Sequence, residues 1–322
     1  MQPSETIAIT GSSGYLGRKL VQRFRGLGHR IVGIDVVANE DPPSKPDVFI
    51  QADICDESLP EKIAKFSPNT IVHGAFVFQP RRNAKKTRKI NVDGTRNVFS
   101  AAVQSAAKQL MIVSSATAYG AWEDNPVPMD ESWQRRSRNE FQYAANKHEV
   151  EQLTESFAKE HPEIATCWVR PAIIAGPNFS NYLSRFIFGL PLLIKMDGFD
   201  SPLQFVHEDD VVESMAAILA AKGQGGFNIG PDDWLTIDEI ANLTNRKALS
   251  LPFWLVRWIH GFAWLVRFPI HESPAGFLYF ARYPWVVASK RLQQEIGYQF
   301  KYSCRETVDD YLEAEKVKGN KK

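Results

Sequence analysis

Cysteine is scarce in this chain. Cys55, Cys167 and Cys304 are the only three in 322 residues, too far apart for metal-ligand spacing or a disulfide framework. A small disulfide-stapled fold is thereby excluded, and a reducing, cytoplasmic setting is expected. An excess of one charge sign is also missing. Lys and Arg number 38 against 37 Asp and Glu, a formal net charge of +1, so no global field gathers nucleic acid or anionic lipid. Internal repeats and low-complexity tracts are absent. With 44% hydrophobic and 23% charged residues, neither extensive disorder nor a polytopic membrane protein fits. The polar Met1–Glu5 stretch precedes a β-type run at Thr6, and no signal peptide is expected there. The basic Lys316–Lys322 end is expected to be a frayed tail.

What the chain does have is alternation. Thr6–Thr10, Arg30–Asp35, Val48–Ile50, Thr70–His73, Leu110–Ser114 and Ala165–Val169 read as short apolar strands. Segments near Tyr15–Leu27, Leu59–Phe66, Ala84–Ala107 and Glu140–Lys159 read as helices between them. This spacing predicts an α/β fold, a doubly wound parallel sheet covered by helices on both faces. Ligands of such sheets sit at the carboxyl ends of the strands. The sheet domain is expected over residues 1–175, completed by parts of 204–230. From Gly176 the pattern loosens, and a smaller, mainly helical substrate-binding cap is expected over 176–316, with a tail at 317–322.

Thr10-Gly11-Ser12-Ser13-Gly14-Tyr15-Leu16-Gly17 joins the first strand to the first helix. Gly11 permits a tight turn, Gly14 a close backbone approach to a pyrophosphate, and Gly17 close helix packing; the helix N-terminus offers unpaired N–H groups. Gly11, Ser13, Gly14, Tyr15, Leu16 and Gly17 are therefore candidate contacts of a Rossmann-type dinucleotide site. Asp35 ends the second strand, where a carboxylate accepts hydrogen bonds from an adenosine ribose and repels a 2′-phosphate. No guanidinium follows at Val36-Val37, so NAD is expected rather than NADP, with Arg18 the nearest cation to the turn. The rival reading of Asp35 is a turn cap.

Tyr143-Ala144-Ala145-Asn146-Lys147 lies near the start of a long helical pattern, and residues four apart share a helix face. A phenol with a reference pKa of about 10 is a poor base at neutral pH, and an ammonium one turn away, aided by the positive nicotinamide of an oxidised cofactor, is expected to lower it. Ser115 follows the fifth strand, so the same crevice should receive its hydroxyl, which would hold a substrate oxygen while Tyr143 exchanges the proton. A lone Tyr-xxx-Lys pair is common by chance. Its company with the glycine turn, Asp35 and Ser115 makes Ser115, Tyr143 and Lys147 a candidate catalytic set.

Other motifs follow the same order along the chain: Ala52-Asp53-Ile54, Val72-His73-Gly74-Ala75 and Asn91-Val92-Asp93-Gly94-Thr95. Ser114-Ser115-Ala116-Thr117-Ala118-Tyr119-Gly120, Arg170-Pro171 through Gly176-Pro177, and Gln204-Phe205-Val206-His207-Glu208-Asp209-Asp210-Val211 complete them. With the glycine turn and the Tyr-xxx-Lys pair, this set resembles the extended short-chain dehydrogenase/reductases, the NAD-dependent epimerase/dehydratase family, over nearly the whole chain. The resemblance implies that Asp53 and Ile54 lie by the adenine, that Asn91 helps order the site, and that Arg170–Pro177 borders the nicotinamide. It makes Ser115 the active-site hydroxyl. It also implies a homodimer paired through the Ala84–Ala107 and Glu140–Lys159 helices. The activity implied is that of an NAD-dependent epimerase/dehydratase-like oxidoreductase acting on a secondary alcohol of a small molecule, such as a nucleotide sugar. Two rivals are a net dehydrogenase of a lipid-like or steroid-like alcohol and a non-catalytic NAD-binding module.

Departures from the family favour the first rival. Pro202-Leu203-Gln204 stands where many sugar-nucleotide members carry an arginine for the diphosphate, and the segment before it is short for a nucleotide pocket. Ala175 replaces a tyrosine and Gly74 a bulkier residue. His73 and His207 lack companions at ligand spacing and are expected to be structural, with no metal bound. In the aromatic-rich 251–283 stretch, Trp254, Leu255, Trp258, Ile259, Phe262, Leu265 and Val266 share one face of an expected helix; Arg257, His260, Trp264 and Arg267 lie opposite. The leading expectation packs that face on the cap's own core. A lid over a hydrophobic substrate and a membrane contact through 251–268 rank below it.

Overall fold

The computed structural model describes residues 5–266, 268 and 273–319. Strands β1 (Thr6–Thr10), β2 (Arg30–Asp35), β3 (Val48–Gln51), β4 (Thr70–His73), β5 (Gln109–Val113) and β6 (Ala165–Pro171) belong to one parallel sheet. Three short strands follow, β7 (Ile173–Ala175), β8 (Leu192–Met196) and β9 (Phe205–His207), before β10 (Gly225–Ile229) returns to complete the sheet in the order β10-β6-β5-β4-β1-β2-β3. β7 pairs with β9, and β8 with β11 (Lys247–Leu251), as two small sheets at the cap side. The helices flanking the large sheet are α1 (Tyr15–Gly26), α2 (Leu59–Ala64), α3 (Ala84–Arg88), α4 (Gly94–Gln104) and α5 (Gln142–Glu160). Beyond them lie α6 (Tyr182–Phe188), α7 (Glu208–Ala220), α8 (Ile237–Leu243), α9 (Phe253–Leu265), α10 (Leu278–Arg282), α11 (Lys290–Ile296) and α12 (Cys304–Gly319).

The alternation of side chains along each strand makes two cores. Ile7 and Ile9 of β1 pack with Leu20, Val21 and Phe24 of α1 and Val211 and Met215 of α7. Ala8, between them, packs with Ile63 of α2, Val98 and Ala102 of α4, and Val150 of α5. Successive strand residues face opposite sides, so strands covered on both faces read as unbroken β-branched runs. Full burial of each Ile, Val or Leu contributes about 1.5–3 kcal/mol. From β1 the chain builds β2 and β3 on one side, then crosses to β4 on the other. That reversal opens a crevice beyond the carboxyl ends of β1 and β4.

Three expectations need correction. The Ala84–Ala107 segment is not one regular helix: a π turn at Lys89–Asp93 separates α3 from α4. The wider turn aims the Asn91 side chain at the loop after β4, where it accepts from the Val77 N–H at 2.8 Å. Beside it, Gly94 seats against Ile54, which a Cβ would meet at 2.6 Å. The basic C-terminal end does not fray within the described residues. α12 continues to Gly319, and Lys318 donates to the Pro177 carbonyl at 2.9 Å; residues 320–322 lie outside the described ones.

The third correction concerns α9, whose expected core-facing side is turned to solvent. Trp254, Trp258, Ile259, Phe262, Leu265 and Val266 are exposed, and the helix buries Phe253, Val256, His260 and Ala263 instead. Val256 and Phe253 join Met196 and Leu278 in a small separate core. His260 is drawn inward by a 2.7 Å hydrogen bond with the Ser273 carbonyl; Arg267 lies outside the described residues. No helix among the described residues is long and apolar enough to cross a membrane.

Candidate active site

The turn after β1 is set by its backbone. Gly11 has φ +73°, and a Cβ there would stand 2.7 Å from the Ala75 nitrogen. Its N–H donates to the Ile34 carbonyl at 2.8 Å, tying the turn to β2. At Gly17 a Cβ would lie 1.9 Å from the Gly11 carbonyl oxygen, so α1 starts directly against the turn. The first amides of that helix have no intrahelical partner, and Tyr15, Leu16 and Gly17 line the crevice at the positive end of the helix dipole. Asp35 uses its carboxylate on the same loop, accepting from Ser13 N–H at 3.0 Å and Val36 N–H at 2.7 Å. The turn-cap reading of Asp35 therefore describes real contacts, made beside the dinucleotide turn.

A cleft of about 770 Å³ runs from this turn to Tyr143. Gly11, Gly14, Tyr15, Leu16 and Gly17 line one side; Ser115, Tyr143 and Lys147 line the other. Ser13, Asp35, Asp53, Ile54 and Asn91 are not on its walls. Asp53 is exposed and accepts from Cys55 N–H at 2.9 Å, while Ile54 is buried beneath α4. Asn91 acts at one remove, since it holds Val77 and Val77 is on the wall. Tyr15 turns its hydroxyl away to donate to Glu208, and burial together with that carboxylate raises its pKa far above the ordinary value.

α5 starts at Gln142 and so delivers Tyr143, Lys147 and Glu151 one turn apart on one face. Ser115 caps the short helical turn after β5, accepting from Thr117 N–H at 3.2 Å, and lines the cleft together with Tyr143. Burial pushes the Tyr143 phenol up to about 12, the polar Ser115 hydroxyl working the other way. In the protein alone desolvation outweighs the neighbouring cation: Lys147 Nζ is 5.7 Å from the Tyr143 ring centroid. Lys147 itself is buried, donates to the Val113 carbonyl at 2.6 Å, and sits 3.5 Å from the Phe76 ring centroid. Burial lowers it to about 7, with the Glu151 carboxylate opposing.

Beneath this set lies an ion-pair network. Arg170 of β6 donates to Glu151 at 2.7–3.0 Å, Arg135 adds a bond at 2.9 Å, and Ser114 donates to the same carboxylate. Burial alone would raise the Glu151 carboxyl, but the two guanidiniums and Ser114 hold it below the ordinary range. The network pins α5 to β5 and β6, and with them the spacing of Tyr143 and Ser115. His73 and His207 are engaged elsewhere: His73 with Thr10 at 2.7 Å and Thr95 at 3.0 Å, His207 with Asp310 at 2.9 Å.

Sequence reasoning missed the aromatic surround. Phe76, Phe78 and Phe141 contact the Tyr143 ring at centroid distances of 5.5, 5.3 and 5.8 Å, and Tyr182 contacts Phe78 at 5.0 Å. The Phe76-Val77-Phe78 run after β4 was a visible signal; Tyr182, Phe277 and Phe280 are brought in from the cap. Next to the cleft is an apolar cavity of about 400 Å³, and Ile173, Tyr182, Leu183, Phe277, Phe280 and Trp285 form walls of both.

Known proteins are similar to this chain in sequence and in fold. A protein of Mycobacterium tuberculosis (strain ATCC 25618 / H37Rv), itself described as uncharacterized, is 26% identical over 97% of this chain and 84% of its own length. The UDP-glucose 4-epimerase of Mycolicibacterium smegmatis is 26% identical over 69% of this chain and 76% of its own. The crystal structure of UDP-glucose-4-epimerase from Stenotrophomonas maltophila, with bound NAD and formylated UDP-arabinopyranose, superposes with a TM-score of 0.76. It covers 99% of this chain and all of its own (100%) at 16% identity, a likeness of fold. The family model for the NAD dependent epimerase/dehydratase family matches residues 7–230. With most of its length inside that match, the chain belongs to the NAD-dependent epimerase/dehydratase family.

Proposed function

We propose that the protein oxidises a secondary alcohol, or reduces the matching ketone, with NAD as cofactor and Ser115, Tyr143 and Lys147 as the catalytic set. One observation carries the reading: Tyr143, one helical turn from Lys147 and lining the same wall as Ser115, shares a single cleft with the glycine turn of β1. The residues fit a dinucleotide, because Gly11 and Gly17 leave no room for a Cβ while the N-terminal residues of α1 line the cleft. Gly14, Tyr15 and Leu16 would hold the pyrophosphate, Asp35 the adenosine ribose and Lys147 the nicotinamide ribose, with Asp53 and Ile54 toward the adenine and Asn91 ordering the neighbouring loop. When bound, NAD supplies a hydride acceptor and, oxidised, a positive charge beside the phenol.

Tyr143 at about 12 holds its proton at neutral pH, so the protein alone is poised to donate it to a ketone oxygen. Removing a proton from an alcohol requires the phenolate, which a hydrogen bond from Ser115, the Lys147 ammonium and the charge of oxidised NAD would favour. Ser115 holds the substrate oxygen within reach of that phenol. The apolar cavity beside Tyr143 supports an alcohol with an apolar body and a net redox outcome. A second reading, epimerisation of a nucleotide sugar, draws on the named relatives and on Arg81 and Arg185, guanidiniums on the cleft and cavity walls.

Incubation with NAD and a panel of sterols, hydroxysteroids and UDP-sugars separates the two. NADH accumulating in step with a ketone supports the first, and an inverted sugar without NADH the second. Tyr143→Phe should cut turnover roughly 10²–10⁴-fold with NAD still bound; unchanged turnover would end the mechanism.

A further inference from the structure

α9 presents its apolar residues to water. Trp254, Trp258 and Phe262 follow one another at helical spacing and are 69%, 66% and 55% exposed, with Leu265 and Val266 beyond them. Trp258 and Phe262 stack with centroids 5.9 Å apart. Contiguous exposed apolar surface of this kind marks an interaction site. Beside it runs the segment Arg81-Arg82-Asn83-Ala84-Lys85-Lys86-Thr87-Arg88-Lys89, exposed at every position but Thr87. Arg88 pairs with Glu149. Arg82 joins the two features, its guanidinium 4.7 Å from the Trp264 ring centroid and donating to the Trp264 carbonyl. Neither stretch contains an acid: no Asp or Glu lies between Glu61 and Asp93, nor between Glu239 and Glu272. In a chain with a net charge of only +1, this is a concentrated cationic edge on an aromatic face.

We propose that this face docks the protein on an anionic lipid bilayer, α9 lying in the interface and the 81–89 cations against the headgroups. Trp and Phe settle at the headgroup level, and basic residues beside them add electrostatic attraction to anionic lipid. A second copy of the chain is the poorer occupant, since a two-fold contact would set these cations against their own copies. The inner side of α9 supplies Val256, Ile259 and His260 to the apolar cavity, and Ile259 is also 48% exposed. The cavity rim therefore lies at the docking face, which gives an alcohol dissolved in the bilayer a path to Tyr143. That path rests on the apolar-substrate reading; the docking does not.

Co-flotation of the full chain with vesicles tests the docking. Vesicles of phosphatidylcholine mixed with phosphatidylglycerol should carry the protein at low salt and release it at high salt. Phosphatidylcholine alone should bind it roughly tenfold less. Trp258→Ser/Phe262→Ser and Lys85→Glu/Lys86→Glu should each reduce capture about tenfold or more while keeping the wild-type thermal transition and NAD binding. Protein left behind by both vesicle types overturns the proposal, as does capture that both variants leave unchanged. A concentration-dependent dimer dissolved by Trp258→Ser/Phe262→Ser, with no vesicle binding, assigns the face to a second copy instead. None of these readouts involves turnover, so a failure of the oxidoreductase reading leaves them intact.

Discussion

The two walls of the cleft are made by different means. At the glycine turn the backbone is the surface: Gly11 is pressed against Ala75 and Gly17 against Gly11, with no space for one further carbon. Around Tyr143 the surface is side chains, rings from Phe76, Phe78, Phe141 and Tyr182 over a buried Glu151–Arg170 pair. A backbone wall is local in sequence and intolerant of any Cβ. A side-chain wall is assembled from distant segments, and its electrostatics follow from what each segment buries.

The largest effect is expected where the side-chain wall is anchored. Arg170→Met leaves Glu151 buried with Arg135 as its remaining cation, and urea unfolding should show a loss of about 3–5 kcal/mol. A near-neutral result would mean that the network adds little to the positioning of α5. At the backbone wall, Gly17→Ala drives a Cβ into the Gly11 carbonyl, and calorimetric titration should show NAD affinity falling roughly a hundredfold. Wild-type affinity would show that the turn yields more than its packing indicates.

A smaller effect is graded by pH. Lys147 is lowered from 10.5 to about 7, so between those values the unfolded chain binds the extra proton. Stability should therefore rise with pH through that window by up to about 1.4 kcal/mol per unit, and this contribution should be flat below pH 7. Lys147→Met should remove that slope and be more stable than the wild type at neutral pH, while inactive. Denaturant midpoints at pH 7 and pH 9 for both proteins decide it, and equal slopes would count against a desolvated lysine. The smallest effect belongs outside both walls: Trp258→Ser should change unfolding stability by less than about 0.5 kcal/mol, because that ring lies on the surface.

Much of the scaffold was legible in the chain. The β-branched runs, the glycine spacing and the four-residue Tyr143–Lys147 interval are local signals, and the sheet, the turn and α5 lie where those signals put them. The orientation of α9 was not legible, because both of its faces carry large apolar residues and the contacts that choose between them, the Ser273 bond to His260 and the packing of Phe253 and Val256 among them, come from other segments. The π turn at Asn91 was hidden for a similar reason: it answers to a backbone amide on the loop after β4.

Sequence alone determined which groups are available: a glycine turn before a helix, an acid after β2, a phenol and an amine one turn apart, a serine at a strand end. Tertiary structure decided their states, raising Tyr143, lowering Lys147, occupying Asp35 with its own loop and setting the apolar cavity against the cleft across shared walls. Spacing along a chain fixes neighbours within one turn or one strand. Desolvation, and the partners that offset it, come from segments tens of residues away that meet only when the sheet and cap are packed together.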